Sequence, residues 1–182
     1  MSRTRLFAVL AVVGAAVAGM AGLGAPAAAG TPPTPSAAGQ VAVQQLIDEK
    51  LRKLPGGRQV GPNKIVWEHR GASLEFGTMS RFNCQYEYFC LYGDSDYNDG
   101  PDRTPWKLTL WTCGWHNLGD YGVRDQTSSV VNNQTPGTRA ALHHYHADTN
   151  PEYGTRQMWS SAAYGYSNLV YPNDEADHAT LC

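Results

Sequence analysis

The residues best suited to chemistry in this chain are histidines and carboxylates in short runs. His143-His144-Tyr145-His146 is followed by Asp148. On a strand, His144 and His146 would share one face and His143 would point to the other. Two imidazoles and a carboxylate suit zinc. The competing reading is a partly exposed strand that carries rings. A second run, Asp94-Ser95-Asp96-Tyr97-Asn98-Asp99-Gly100, begins like an EF-hand loop. Its glycine comes one place late, and Pro105 stands where a bidentate Glu is required, so it reads as a polar hairpin turn. Neither G-x-S-x-G nor H-E-x-x-H occurs, and no carboxylate pair is marked out. The chain is therefore expected not to be an enzyme, with no catalytic residue and no required cofactor.

The remaining reactive side chains are Cys84, Cys90, Cys113 and Cys182. Their spacings fit no common zinc site. Four cysteines allow three pairings, and the sequence does not choose among them. The preferred expectation is Cys84–Cys90 as a local clip and Cys113–Cys182 as a long-range staple. Disulfides need an oxidising compartment, and the first residues supply the route there. Met1-Ser2-Arg3-Thr4-Arg5 is a positive start, an apolar stretch follows from Leu6, and Ala27-Ala28-Ala29 offers small residues for cleavage. Residues 1–29 thus read as a signal peptide, and the protein as secreted and extracellular, with no membrane attachment after cleavage. The formal charge of −2 becomes −4 once Arg3 and Arg5 are removed. A mildly acidic chain lacks the clustered cations that phosphate binding needs, which excludes nucleic acid as a partner.

The elements that must position these groups divide into three parts. Residues 30–40 are rich in Pro and Ala and are expected to be a disordered linker. From 41 to 77 the pattern is a helix plus a β-hairpin. Val43, Leu46, Ile47, Leu51 and Leu54 recur at helical spacing, and Pro55-Gly56-Gly57 ends the run. Ile65, Trp67, Ala72, Leu74 and Phe76 then alternate about Glu68-His69-Arg70-Gly71. This leader is too small to stand alone and should pack on the larger segment after it. That segment, residues 82–182, carries short strand-like stretches, many aromatics and frequent Gly and Asn turns, which is the pattern of a mainly β sandwich.

This body holds an internal repeat, about 84–133 and 138–182. Gly114-Trp115-His116-Asn117-Leu118 is matched by Gly165-Tyr166-Ser167-Asn168-Leu169. Tyr92 and Tyr145 lead into turns bearing Asp94 and Asp148, and Asp125 is matched by Asp174. Trp106, Trp111, Trp115 and Trp159 could build a carbohydrate-stacking face. The matching positions of Trp115 and Tyr166 favour a core role instead.

Cys84-Gln85-Tyr86-Glu87-Tyr88-Phe89-Cys90-Leu91-Tyr92, with Asp94 and Tyr97, resembles the opening of the streptomycete metalloproteinase-inhibitor family of secreted peptidase inhibitors. Asn117-Leu118, Tyr121-Gly122 and Asp125 to Asn133 continue the likeness, which covers 84–154 well and 155–182 loosely. The resemblance implies a βγ-crystallin-like fold of two Greek keys. It implies inhibition of an extracellular protease through an exposed loop, here Pro151-Glu152-Tyr153-Gly154-Thr155-Arg156-Gln157. The loop lacks the bracing disulfide of the inhibitory family member; an ordinary inter-strand turn is the other reading. The fold also implies calcium turns of the form Asn/Asp, Asn/Asp, two free positions, Ser/Thr, Ser. In Arg124-Asp125-Gln126-Thr127-Ser128-Ser129 and Asn173-Asp174-Glu175-Ala176-Asp177-His178 the candidate ligands are Asp125, Ser128, Asn173 and Asp174. Arg124 subtracts from the charge that calcium wants, and the serine hydroxyls could serve to tie down the turns. A monomeric inhibitor is the expectation, with a non-inhibitory structural or calcium-binding module as the alternative.

Overall fold

The computed structural model describes residues 36–77, 79–98, 105–145 and 155–182. The expected signal peptide and residues 30–35 of the expected linker lie outside the described residues. The described chain from 36 onward belongs to one compact unit. Its elements in order are α1 (Ala37–Lys53), β1 (Arg58–Gln59), β2 (Lys64–Trp67), β3 (Ala72–Phe76), β4 (Tyr88–Tyr92), β5 (Trp106–Leu110), β6 (Gly114–Asn117), β7 (Ser129–Asn133), β8 (Arg139–Tyr145), β9 (Thr155–Ala162), β10 (Tyr166–Ser167) and β11 (His178–Leu181). The protein is mainly β, as expected.

The helix starts at Ala37, four residues before the expected boundary at 41, so residues 37–40 of the expected disordered linker are helical. Ser36 explains the extension: its Oγ accepts from the Gly39 amide at 3.2 Å, satisfying one of the donors that a helix start leaves open. Lys50, Arg52 and Lys53 fill the last turn, where positive charge opposes the helix dipole favourably. Ile47 is fully buried, with Val43, Leu46, Leu51 and Leu54 packed on the same core.

Two antiparallel sheets form. One has the order β1-β2-β3-β5-β4-β7-β10, the other β6-β11-β8-β9. The hairpin β2–β3 is not an appendage. β3 pairs with β5 from Ala72↔Leu110 to Phe76↔Trp106, so the expected leader contributes strands to the larger sheet. The hairpin turns at Gly71, whose φ of 59° is left-handed and whose added Cβ would strike Thr112. Alternation along β4 feeds two apolar clusters. Phe89 and Leu91 join Leu74, Leu108, Leu110, Leu142 and Ala179 in the main core. Cys90 and Tyr92 face the other way and meet Met79, Cys84 and Tyr97. Phe89 stacks on Trp159 of the other sheet at 5.8 Å with the ring planes nearly parallel, and Trp67 meets Tyr121 edge-on at 5.4 Å.

The disulfides are Cys84–Cys90 and Cys113–Cys182. They are compatible with an extracellular protein. The first lies inside the smaller cluster, while the second joins two exposed residues and ties the end of β11 to the start of β6.

Strand exchange between the sheets is reciprocal. β6 follows β4 and β5 in sequence but pairs with β11 of the other sheet, whereas β10 follows β8 and β9 but pairs with β7. Backbone bonds recur in step with this. The Ser128 amide donates to the Tyr92 carbonyl at 2.9 Å and the Asp177 amide to the His143 carbonyl at 2.9 Å. Leu118 N donates to Asp177 O and Val170 N to Ser128 O. The His143 carbonyl thus accepts from its neighbouring turn as the Tyr92 carbonyl does. Val170 is buried like Leu118, while Leu169 is half exposed.

Candidate functional site

The two acidic turns meet each other where β7 and β11 begin. Asp125 N donates to Ala176 O at 3.0 Å, and Asp174 N donates to Thr127 O at 3.4 Å. Asp125 and Asp174 both have φ of 55°, a left-handed conformation that Asp tolerates better than most residues. Each turn is therefore completed by the other.

The side chains split this junction into two unlike halves. In the first, Ser128 Oγ lies 2.9 Å from Asp174 Oδ1 and 3.1 Å from the Gly93 carbonyl, and Asn173 Nδ2 donates to Asp174 Oδ2 at 3.2 Å. Three of the four candidate calcium residues, Ser128, Asn173 and Asp174, are thus brought together. Gly93 can supply its carbonyl here because it carries no side chain: an added Cβ would sit 2.3 Å from the Trp106 indole nitrogen.

Asp125 goes to the other half. It clusters with His144 and Asp177, one ligand atom of each lying within 4.8 Å of the others. Asp177 is buried and receives Arg124 Nε at 3.4 Å and His144 Nδ1 at 3.2 Å. Arg124 also donates to Asn117 Oδ1 at 3.1 Å, and His144 Nδ1 lies 2.7 Å from the Glu175 carbonyl. Burial, then the neighbouring Asp177 carboxylate, raises the Asp125 pKa. Arg124 places positive charge, and His144 a ring nitrogen, against the carboxylates that a bound cation would use. An imidazole and two carboxylates suit a borderline metal better than calcium, which takes oxygen. A metal entering here would have to compete with the Arg124 guanidinium for Asp177.

The sequence reading does not single out Asp177 as a partner of His144. His144 meets Asp177 and Glu175, which lie far along the chain; His146 and Asp148 are outside the described residues. His143 points to the opposite face of β8, as strand alternation requires. The signal for Asp177 was present, since it stands 49 residues after Ser128 just as Asp174 follows Asp125. Of the expected inhibitory loop, Pro151, Glu152, Tyr153 and Gly154 lie outside the described residues, while Thr155, Arg156 and Gln157 open β9. There Arg156 Nη2 reaches Glu175 Oε2 at 3.2 Å. Residues 95–97 of the EF-hand-like run form a tight turn, with Asp96, Tyr97 and Asn98 at positive φ.

The core role expected for Trp115 and Tyr166 is overturned: they are 60% and 59% exposed. Both lie on the outward side of strands that have crossed to the opposite sheet, an exchange that no local pattern reveals. Trp106 is buried and Trp159 packs on the core. Tyr166 is capped by the Arg81 guanidinium, 5.1 Å from its ring centre and 4.8 Å from that of Phe82. A histidine not singled out by the sequence, His116, is buried with Nδ1 3.0 Å from the Tyr121 hydroxyl and Nε2 2.8 Å from the Thr112 carbonyl. Burial pushes the Tyr121 hydroxyl up to about 12. Both His116 nitrogens are used structurally. No helix among the described residues is long and apolar enough to cross a membrane.

No family model, curated protein or solved structure matches the chain.

Proposed function

We propose that this chain is a secreted, βγ-crystallin-like inhibitor module that acts on an extracellular protease, a metalloprotease first, through the segment joining β8 to β9. The duplicated Greek-key reading is supported by the reciprocal exchange of β6 and β10 and by the bonds that recur across it. The inhibitory reading rests on one observation. β8 and β9 are the longest strands among the described residues, and their ladder runs to Tyr145↔Thr155, so the segment between them starts and ends on a fixed frame. Such a frame reduces the entropy lost when the segment enters a cleft. Titrating the mature chain against thermolysin-like proteases tests this. Stoichiometric inhibition is expected, and it should vanish when residues 151–154 are replaced by Gly-Ser-Gly-Ser. No inhibition at micromolar excess would end the proposal.

A calcium-stabilised binding module is the second reading, favoured by the meeting of Ser128 with Asp174. Under it, millimolar calcium raises the melting temperature, because an ion held only by the native state adds about 2.7 kcal/mol at a hundredfold excess over its dissociation constant. Asp174→Ala should erase the rise. An unchanged midpoint in the parent protein removes this reading.

A further inference from the structure

We propose that His143 and His178 form a binding site for a borderline transition-metal ion, of the class of Zn²⁺, Ni²⁺ or Cu²⁺, on the outer face of the four-stranded sheet beside Trp115. The sheet register carries the argument. His178 of β11 stands directly opposite His143 of β8. Directly opposite residues share a face, with Cβ atoms roughly 4.5–5.5 Å apart, a span that one metal ion can bridge with two imidazoles. That face is the outer one, since the alternating Leu142, Ala179 and Leu181 are buried in the core.

The surroundings prepare both rings. Trp115, from β6 on the far side of β11, reaches across. Its ring centre is 4.7 Å from that of His143 and 5.8 Å from that of His178. Thr180, one strand alternation after His178, places its Oγ1 3.1 Å from His143 Nε2. A hydrogen bond at one ring nitrogen fixes the ring and leaves the other to bind metal, the usual arrangement around a histidine ligand. Burial lowers the pKa of both histidines, which favours the neutral imidazole that a metal needs. Nitrogen donors select the borderline ions over calcium and magnesium. Two protein ligands leave coordination positions for water or for a donor from another molecule. The site is separate from the turn cluster of Asp125, His144 and Asp177: His144 follows His143 but faces the opposite side of the strand.

Trp115 makes the proposal measurable. Titrating the mature protein with Cu²⁺ at neutral pH should quench tryptophan fluorescence saturably, and calcium should not. His143→Gln with His178→Gln should abolish the saturable component, and Thr180→Val should weaken it by about tenfold. Trp115→Phe should remove most of the quench while calorimetry still detects binding. Asp177→Asn should leave quench and affinity unchanged. Circular dichroism and melting of each variant verify folding. A saturable quench that survives in the double histidine variant overturns the proposal, as does its loss in Asp177→Asn, which would move the metal to the turns. Absence of any saturable quench in the parent protein overturns it as well.

Discussion

Replacing both cysteines of the Cys113–Cys182 bridge by serine is expected to lower the unfolding free energy by about 4 kcal/mol. The figure comes from loop-closure entropy for a sequence separation of 69. Both residues are exposed, so serine leaves no buried polar group and the measured loss isolates the cross-link. β11 lies between β6 and β8, and without the bridge its end keeps its ladder bonds, the burial of Ala179 and Leu181 and the Thr180–His143 contact. Urea unfolding at equilibrium checks this. The slope should rise with the loss, because the released unfolded chain exposes more surface. A cost under about 1 kcal/mol would show that the unfolded chain does not gain the freedom this relation assumes. The Cys84–Cys90 bridge closes a much shorter loop and is worth about 2 kcal/mol by the same relation, with a packing loss added because both of its cysteines are buried.

Phe89→Ala is expected to destabilise by about 3–5 kcal/mol, the range for deleting a buried aromatic ring. Phe89 is fully buried, pairs with Leu110 and Asn132 across the strands, and stacks on Trp159 from the other sheet. It is a direct contact between the two sheets, so its loss leaves a cavity that neither sheet can close alone. The melting temperature should fall by about 10 °C. Phe82→Ala serves as the contrast. Its ring is 81% exposed, and the change should stay within about 0.5 kcal/mol. Equal shifts in the two variants would contradict this placement of the core.

Local chemistry made much of the framework legible. Apolar residues at helical spacing from Val43 to Leu54 marked α1, and alternation about Glu68–Gly71 marked the hairpin. Both signals depend only on residues near one another in sequence. The start of α1 was displaced because a cap from one serine outweighs the absence of an apolar face in the first turn. Ser128 and Asp174 were legible as candidate ligands, since both occupy the same turn type. Their partners were not. Asp125 was expected beside Ser128, yet its side chain belongs with His144 and Asp177. The turns interlock, and a residue's neighbour in space is supplied by the other half of the chain.

Residue order alone thus accounts for the helix, the hairpin, the mainly β character and the even set of cysteines. Each rests on periodicity, turn residues or composition, which act over a few residues. The places of the exchanged strands came from long-range pairing instead. That exchange put Trp115 over His143 and His178 on an outer face and exposed Tyr166. Other long-range contacts set Arg124 and His144 against Asp177 and, by pairing β3 with β5, extended the larger sheet with the hairpin. Strand pairing between distant segments is fixed by which faces can be buried together, and that choice is made by the whole core at once.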